Sequence, residues 1–294
     1  MKLLKQSRWI TVLLASTLST GFSNVSASDD FFGTGFNKQW NLRLSGYRAT
    51  TSTDIRVDSK DGVIGEEISF EDDLGLPDRE TQPLFDLTYR FNPRHMIDFS
   101  YVDLSRSATT IYDVSGTTTD DIAWAAGAEL TGTFDSEIFR LSYGYSFFND
   151  GQKELGMLIG LHVTRLNITL KGTGSLVAVD PDTGDEVVVG GEAQRTYDSG
   201  FTLPLPVIGL HGAYAFSEKF RIRGWGQFFA LDYDDYDGSL INMAGMLEYD
   251  LWRNFGIGAG YAIYNYDLDV DRSDYAGNFS YKFKGPTLFV YASF

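Results

Sequence analysis

The stretch Phe139-Arg140-Leu141-Ser142-Tyr143-Gly144-Tyr145-Ser146-Phe147 decides the fold. Hydrophobic or aromatic residues occupy every second position, and small, polar or charged residues stand between them. Because successive side chains of a β-strand point to opposite faces, this pattern predicts a strand with one wholly apolar face. The other face combines glycine and serine with a single arginine. That composition is typical of the inside of a barrel whose apolar face meets lipid.

The same alternation returns along the chain, at 85–91, 219–228 and 255–263. In each case the apolar face includes aromatic rings, which in membrane barrels lie at the level of the lipid headgroups. A soluble β-sandwich is the alternative, but its outer face should be polar throughout. The pattern therefore predicts an all-β fold, a single antiparallel up-and-down transmembrane β-barrel.

The connections alternate in length, which supports this topology independently. Short turns fall near 92–94, 149–152, 217–218 and 252–253, whereas longer polar stretches include 58–80, 113–134 and 173–198. Short periplasmic turns and long outer loops produce this rhythm. We predict about ten strands, with eight or twelve as alternatives. The predicted spans are 39–56, 81–91, 95–110, 135–148, 153–172, 199–216, 219–234, 239–251, 254–269 and 279–294. Within the third long loop, 176–179 and 186–189 flank turn residues and predict a separate hairpin.

The first residues have the features of an export signal. Lys2, Lys5 and Arg8 precede an apolar run over 9–22, and Val25-Ser26-Ala27 offers the small residues that signal peptidase recognises. A membrane-spanning helix would need about 20 apolar residues, so the run is too short for an anchor. We predict a signal peptide at 1–27, cleaved after Ala27, and an outer-membrane β-barrel domain at 28–294.

The composition agrees with an exported barrel. The net charge of −16 disfavours binding to nucleic acid or to anionic lipid through bulk charge. There are no cysteines, so no disulfide stabilises the exported protein. Strands of a barrel need apolar residues only at alternate positions, which reconciles a mean hydropathy of −0.17 with a membrane location.

The last strand resembles the C-terminal assembly signal of outer-membrane β-barrel proteins. Gly285 precedes Leu288 and Val290 on one face, and Phe294 closes the chain. Phe283 departs from the family pattern, which has a polar residue there. The mature chain is also similar in style to the small OmpA/OmpW-type barrels, and the stretches 70–78 and 89–95 resemble uncharacterised barrel proteins of proteobacteria. The resemblance implies the fold, the Gram-negative outer membrane and the barrel assembly machinery as a partner during biogenesis, and it assigns no catalytic residue.

Taking alternate residues as inward-facing places ten ionisable side chains in the lumen. They are Arg43, Asp86, Arg90, Asp98, Arg140, His162, His211, Arg221, Arg223 and Glu248. Buried charges without partners are costly, so mixed charges in a narrow lumen form pairs. We favour a plug of ion pairs, because a barrel of about eight strands is filled by its own side chains. The alternative is a narrow pore for ions or small solutes with a charged constriction. A hairpin turn near residues 235–236 would set Arg223 opposite Glu248.

These observations predict a structural or surface-exposed barrel without enzymatic activity, catalytic residues, metal or cofactor. A lipid-modifying enzyme built on His162 or His211 is a weaker hypothesis, because no motif identifies a nucleophilic serine. Acidic stretches at 66–73, 232–237 and 267–274 suggest Ca²⁺ or Mg²⁺ bridging to lipopolysaccharide, but solvated loops need no ligand and the spacing fits no EF-hand. The expected partners are outer-membrane lipids and lipopolysaccharide.

The assignment of the two faces of the strand at 139–147 leads to an expectation for substitutions. Arginine in place of Leu141 or Tyr143 should be costly in the membrane, and arginine in place of Ser142 should be better tolerated.

Overall fold

The computed structural model describes residues 38–59, 67–111, 118–119, 122–124, 129–174, 176–179, 186–188, 193–233, 235–271 and 275–294. The predicted signal peptide, residues 1–27, lies outside the described residues, and the boundary after Ala27 stays a prediction. No helix long and apolar enough to cross a membrane occurs in the part of the chain that the structure describes.

Sixteen strands lie within these ranges, and ten of them form the wall of a closed barrel. The strands are β1 Trp40–Ser59, β2 Ile68–Ser69, β3 Arg79–Asn92, β4 His95–Asp103, β5 Arg106–Ile111, β6 Thr118–Thr119, β7 Ile122–Trp124, β8 Glu129–Asn149, β9 Lys153–Gly174, β10 Leu176–Val179, β11 Glu186–Val188, β12 Ala193–Ala215, β13 Phe220–Tyr233, β14 Tyr236–Trp252, β15 Phe255–Asp271 and β16 Tyr275–Ser293. The wall order is β1, β3, β4, β8, β9, β12, β13, β14, β15 and β16, all antiparallel. β5 pairs with β8 beyond the end of β4, and the short β2 pairs with β1.

The barrel closes where β16 pairs with β1. Their register runs from Asn41 opposite Ser293 to Ser59 opposite Tyr275. At the end of this ladder the Trp40 N–H donates to the Phe294 carbonyl (2.8 Å), and the Phe294 N–H donates to the Trp40 carbonyl (3.0 Å). The prediction of a ten-stranded up-and-down barrel is confirmed. We call the end with the short turns and Phe294 the turn end, and the opposite end the loop end.

The observed strands are longer than predicted at the loop end. β8 begins at Glu129 and β12 at Ala193, about six residues before the predicted starts. Outward residues of these extensions are polar, as at Thr131, Thr133 and Asp198, so the alternation of apolar and polar residues disappears there. Two long loops also contribute a second, four-stranded sheet in the order β11, β10, β7, β6, which contains the predicted hairpin.

The outer surface carries an apolar belt. Large hydrophobic side chains stand exposed on the outer face of every wall strand; examples are Leu44, Phe91, Ile97, Leu141, Ile159, Leu210, Phe228, Met243, Ile257 and Val290. Aromatic rings collect near the turn end, including Trp40, Tyr143, Phe147, Phe216, Tyr249, Trp252 and Phe255. An exposed apolar surface of this extent marks a contact with lipid or with other proteins, and a continuous belt around a closed barrel is typical of lipid contact.

The C-terminal strand contributes to both faces of the wall. Leu288, Val290 and Phe294 point outward into the belt. Gly285 points inward, where β1 comes so close that a Cβ would lie 1.9 Å from the Arg48 carbonyl oxygen. Phe283 lies inside the barrel and stacks on Tyr264 with ring centroids 4.5 Å apart. An inward aromatic therefore occupies the position where the resemblance predicts a polar residue.

Candidate functional site in the barrel lumen

The candidate site is a layer of charged side chains that fills the lumen towards the turn end. We call it the charged layer. It contains five arginines and five carboxylates, namely Arg43, Arg90, Arg140, Arg221, Arg223, Asp86, Asp98, Glu154, Glu248 and Asp250. Each sits on an inward position of its strand, because the polar residues of the alternating pattern face away from the belt. The charges of the layer balance.

Glu248 is the centre of the largest cluster and has no solvent exposure. Its Oε1 lies 2.7 Å from Arg43 Nη2, and its Oε2 lies 2.5 Å from Arg221 Nε. The Arg223 Nε lies 3.7 Å from Oε1. Arg221 also binds both carboxylate oxygens of Asp250, at 2.8 and 3.1 Å. Two carboxylates and three guanidinium groups thus hold one another in a buried network.

The predicted register was wrong by two residues, although Arg223 still forms an ion pair with Glu248. Arg221 stands directly opposite Glu248, and Arg223 stands opposite Met246. β13 ends at Tyr233 and pairs there with Tyr236, so the tight turn falls slightly earlier than predicted and shifts the register.

A second cluster surrounds Arg140. Its Nη2 lies 2.6 Å from Asp98 Oδ1 and 3.5 Å from Asp86 Oδ1. The guanidinium carbon also lies 3.9 Å from the centroid of the Trp225 ring, a close cation–π contact. Arg43 joins this cluster to the first one, because it lies 3.7 Å from Asp86 Oδ2.

A third group, a single ion pair, also lies near the turn end. Arg90 Nη2 is 2.8 Å from Glu154 Oε1, and the Ser146 hydroxyl donates to the same oxygen at 2.5 Å. Our sequence analysis missed Glu154 and Asp250, although a signal was present. Glu154 lies an even number of residues before His162 on β9, and Asp250 lies two residues after Glu248 on β14. Alternation therefore places both side chains on the inner face.

The two inward histidines lie far apart. His162 is opposite Leu205 on the β9–β12 ladder and His211 is opposite Gly156, which separates them by about 20 Å along the strand. The Nε2 of His162 lies 3.1 Å from Gln227 Oε1, and Gln227 donates to the Ser142 hydroxyl at 2.8 Å. The described residues thus show no direct serine–histidine contact at His162, and the buried ring belongs to a neutral amide network.

Above the charged layer, the lumen is filled by aromatic side chains. We call this the aromatic layer; its buried members are Tyr47, Phe134, Tyr264, Tyr266, Phe279, Tyr281 and Phe283. A cavity of about 60 Å³ lies between the two layers, and another of about 40 Å³ lies below it, towards the turn end. Arg43, Arg140 and Trp225 line both cavities and stand between them. Each cavity has room for only a few waters.

The segment between β2 and β3 folds into the loop end of the barrel. Phe70 and Leu76 are buried, and Gly75 adopts a left-handed conformation with φ of 69°. Glu71 accepts the Thr53 N–H at 2.8 Å and forms an ion pair with Arg106. The predicted solvated acidic loop is therefore wrong at Glu71, because the apolar neighbours draw the segment inside.

The other acidic stretches lie on the outside of the loop end. Asp267 accepts from Ser280 at 2.8 Å and lies 3.2 Å from Lys282 Nζ, and Asp269 accepts from Asn278 at 2.7 Å. Glu66, Asp234 and Asp274 lie outside the described residues. Within the described ranges, no group of three or more histidine, aspartate or glutamate side chains could hold a metal ion.

Comparisons with known proteins identify the fold. No protein-family model and no curated protein matches the chain. Among solved structures, the outer membrane protease OmpT of Escherichia coli matches with a TM-score of 0.55 and 17% identity, over 87% of this chain and 96% of that one. The Pseudomonas putida toluene transporter TodX matches with a TM-score of 0.32 and 10% identity, over 87% and 90%. Ail of Yersinia pestis matches with a TM-score of 0.24 and 12% identity, over 85% and 99%.

At 17% identity the likeness to OmpT shows the fold alone, which is that of an outer-membrane β-barrel. The narrower likeness to OmpA/OmpW-type barrels stays a prediction. One expectation is corrected. We predicted that the chain is not an enzyme, and the match to the outer membrane protease OmpT contradicts that prediction, because one protein with this barrel fold is a protease.

Proposed function

We propose that the chain is an integral outer-membrane barrel whose lumen is closed to ions and small solutes and whose loop end works at the cell surface. The observation that carries this proposal is the charged layer. Arg221 and Glu248 have no solvent exposure, and Arg140 and Trp225 lie between two small cavities.

The belt supports the membrane location. Outward residues are apolar from Phe139 to Phe147 on β8, and they become polar at Glu137. A hydrocarbon core about 30 Å thick accommodates a tilted strand of roughly ten residues. β9 has 22 residues, which at a rise of about 3.3 Å and a tilt of about 40° reach roughly 50 Å. About half of the longest strands therefore stands beyond the membrane at the loop end.

The remaining expectations fit this location and are part of the proposal. A signal peptide at 1–27 would deliver the chain to the periplasm, and the outward Leu288, Val290 and Phe294 of β16, with Gly285 on its inner face, would present the assembly signal. Outer-membrane lipids and lipopolysaccharide would surround the belt.

Planar-bilayer recording of the purified, folded barrel tests the closed lumen. We expect no conductance steps from the wild type. The Arg140→Ala variant removes the guanidinium that separates the two cavities, and we expect it to produce steps if any single change does.

Discrete steps from the wild type would contradict the proposal. If their size or ion selectivity also changed in an Arg223→Ala variant, the barrel would be a narrow pore with Arg223 at its constriction.

A second candidate is hydrolysis of polypeptides at the loop end. It is supported by the fold likeness to the outer membrane protease OmpT, which covers 87% of this chain. The described histidines lie in the lumen or at the turn end, so such an activity would use other residues, above the aromatic layer. Incubation of a peptide library with the folded barrel, followed by mass spectrometry, tests it. Cleavage by the folded protein but not by the urea-unfolded protein would establish the activity, and an intact library would remove the candidate.

A further inference from the structure

The hydrogen bonding of the barrel wall is interrupted between β12 and β13. Their pairing ends at Ile208 opposite Phe228. On its other edge β12 continues to pair with β9 as far as Ala193, and β13 continues to pair with β14 as far as Tyr233. Both strands therefore run on towards the loop end without hydrogen-bonding to each other. We call this unpaired stretch, 193–207 on β12 and 229–233 on β13, the seam.

A second break lies between β3 and β4, beyond Leu84 opposite Val102. There the inserted segment packs inside the wall, since Arg106 binds both Glu71 and the Pro77 carbonyl. In the described chain, no comparable segment bonds across the seam.

Two prolines favour the separation at the seam. The Ala215 N–H donates to Gln152, which precedes β9, whereas the Phe216 N–H donates to Phe220 of β13. Because N–H groups of successive residues alternate between neighbours, even-numbered residues of β12 direct theirs towards β13. Pro204 and Pro206 occupy two of these positions and have no N–H to donate. The sequence therefore removes the donors that would continue the ladder, and leaves the two proline carbonyls facing the seam.

The seam begins within the apolar belt. Ile208 and Phe228, where pairing stops, are both more than half exposed on the outer face. Beyond them Pro206 and Pro204 lie opposite Leu161 and Val163, which are still outward apolar residues. The belt ends one step later, at Arg165 opposite Thr202. The seam thus opens at the height of the lipid leaflet on the loop side.

The inner lining of the seam is apolar and incompletely covered. Leu203, Leu205 and Phe229 point inward and are only partly buried, and Leu231 is 47% exposed. By contrast, two inward residues whose strands pair on both edges there, Leu166 and Tyr281, have no exposure. Because the pairing of β12 and β13 ends at Ile208 and Phe228, the wall beside this lining is open towards the lipid.

We propose that the seam binds one acyl chain of lipopolysaccharide from the outer leaflet. The proposal rests on the outer-membrane location given above. A narrow apolar slot suits an extended acyl chain, and hydroxylated chains of this lipid class carry an O–H that can donate to the Pro204 and Pro206 carbonyls. Arg165 lies at the outer end of the slot, at the height of the anionic headgroups. Membrane burial would otherwise leave these carbonyls unsatisfied, which is costly.

Fluorescence quenching by brominated lipid tests the proposal. The Phe229→Trp variant places an indole on the inside of the seam. The Phe283→Trp variant places one on the inside of β16, which pairs on both sides. Both are folded into phosphatidylcholine vesicles whose acyl chains carry bromine, and the wild-type signal is subtracted. We expect the quenching of the Phe229→Trp variant to exceed that of the Phe283→Trp variant several-fold, and equal quenching would overturn the proposal.

Two further measurements identify the slot and its occupant. Adding purified lipopolysaccharide should reduce the quenching of the Phe229→Trp variant, since it displaces the brominated chain; unchanged quenching would overturn lipopolysaccharide as the ligand.

A variant that combines Phe229→Trp with Pro204→Val and Pro206→Val tests the slot itself. The two valines restore two N–H donors and let the ladder extend, so the quenching should fall to the level of the Phe283→Trp variant. Conductance is independent of this readout, so a conducting barrel would overturn the closed lumen and leave the quenching contrast intact.

Discussion

The buried ion-pair network of the lumen depends strongly on one side chain, that of Glu248. Three arginines converge on one buried carboxylate, and the filled barrel leaves each of them largely buried. Their desolvation is offset only while the negative charge stays in place. Surface pairs of the same chemistry behave differently, because water screens both charges whether or not they meet.

We therefore expect Glu248→Gln to destabilise the barrel by about 3–5 kcal/mol, the range for breaking a buried pair. The matched control is Glu137→Gln on the outer face at the loop end, where the partner Arg165 lies 3.7 Å away and both side chains are well exposed. Its cost should stay below about 1 kcal/mol. Urea unfolding of the barrel in lipid vesicles, followed by tryptophan fluorescence, measures both. Similar midpoints for the two variants would contradict the buried network.

Sequence alone predicted which residues face the lumen better than which residues meet there. Strand parity follows from local alternation, so inward positions such as Arg140 and Glu248 can be assigned without knowing their neighbours. Cross-strand partners depend on the register. A small difference in the turn after Tyr233 places Arg221 opposite Glu248, where we had predicted Arg223. The bond of Arg43 to Glu248 spans the lumen between non-neighbouring strands, and no local pattern encodes it.

At the scale of the strand, height in the membrane matters as much as the face. β8 is apolar on its outer face from Phe139 to Phe147 and polar on the same face closer to the loop end. We expect Leu141→Arg to cost about 2–4 kcal/mol, because it puts a charge near the middle of the hydrocarbon. Thr133→Arg introduces the same side chain on the same face beyond the belt, and it should cost much less. Unfolding midpoints in lipid vesicles compare the two, and equal losses would show that the belt extends further than the structure indicates.

The structure also revises the expectation for Ser142. Alternation places this serine in the lumen, where a water-filled interior would tolerate arginine. Ser142 is instead buried, accepts a hydrogen bond from Gln227, and lies in a filled cross-section close to Arg140. Arginine there would overfill the lumen and add a like charge. The strand pattern gave the correct face, but the space available on that face depends on the other nine strands.

At the scale of the whole molecule, lumen filling decides between a plug and a pore. Strand number was predictable from alternation and turn spacing, and ten strands leave a lumen that side chains can fill. Whether they do fill it depends on how the strands stagger around the barrel, since stagger sets which inward residues share a layer. The belt, the topology and the inward set were therefore accessible from sequence. The charged layer, the inserted segment at Glu71 and the seam were not, because each depends on contacts between distant strands.

The pairing of β1 with β16 has a consequence for the time course of folding. The two strands are separated by almost the whole described chain, yet their ladder is what closes the wall. Contacts of such long sequence separation form slowly, because the loss of chain entropy precedes any gain from pairing. Until they form, both strands present open edges that can recruit other chains into aggregates. The lifetime of that open-edged intermediate, rather than the stability of the finished barrel, sets how long the chain must be kept soluble on its way to the membrane.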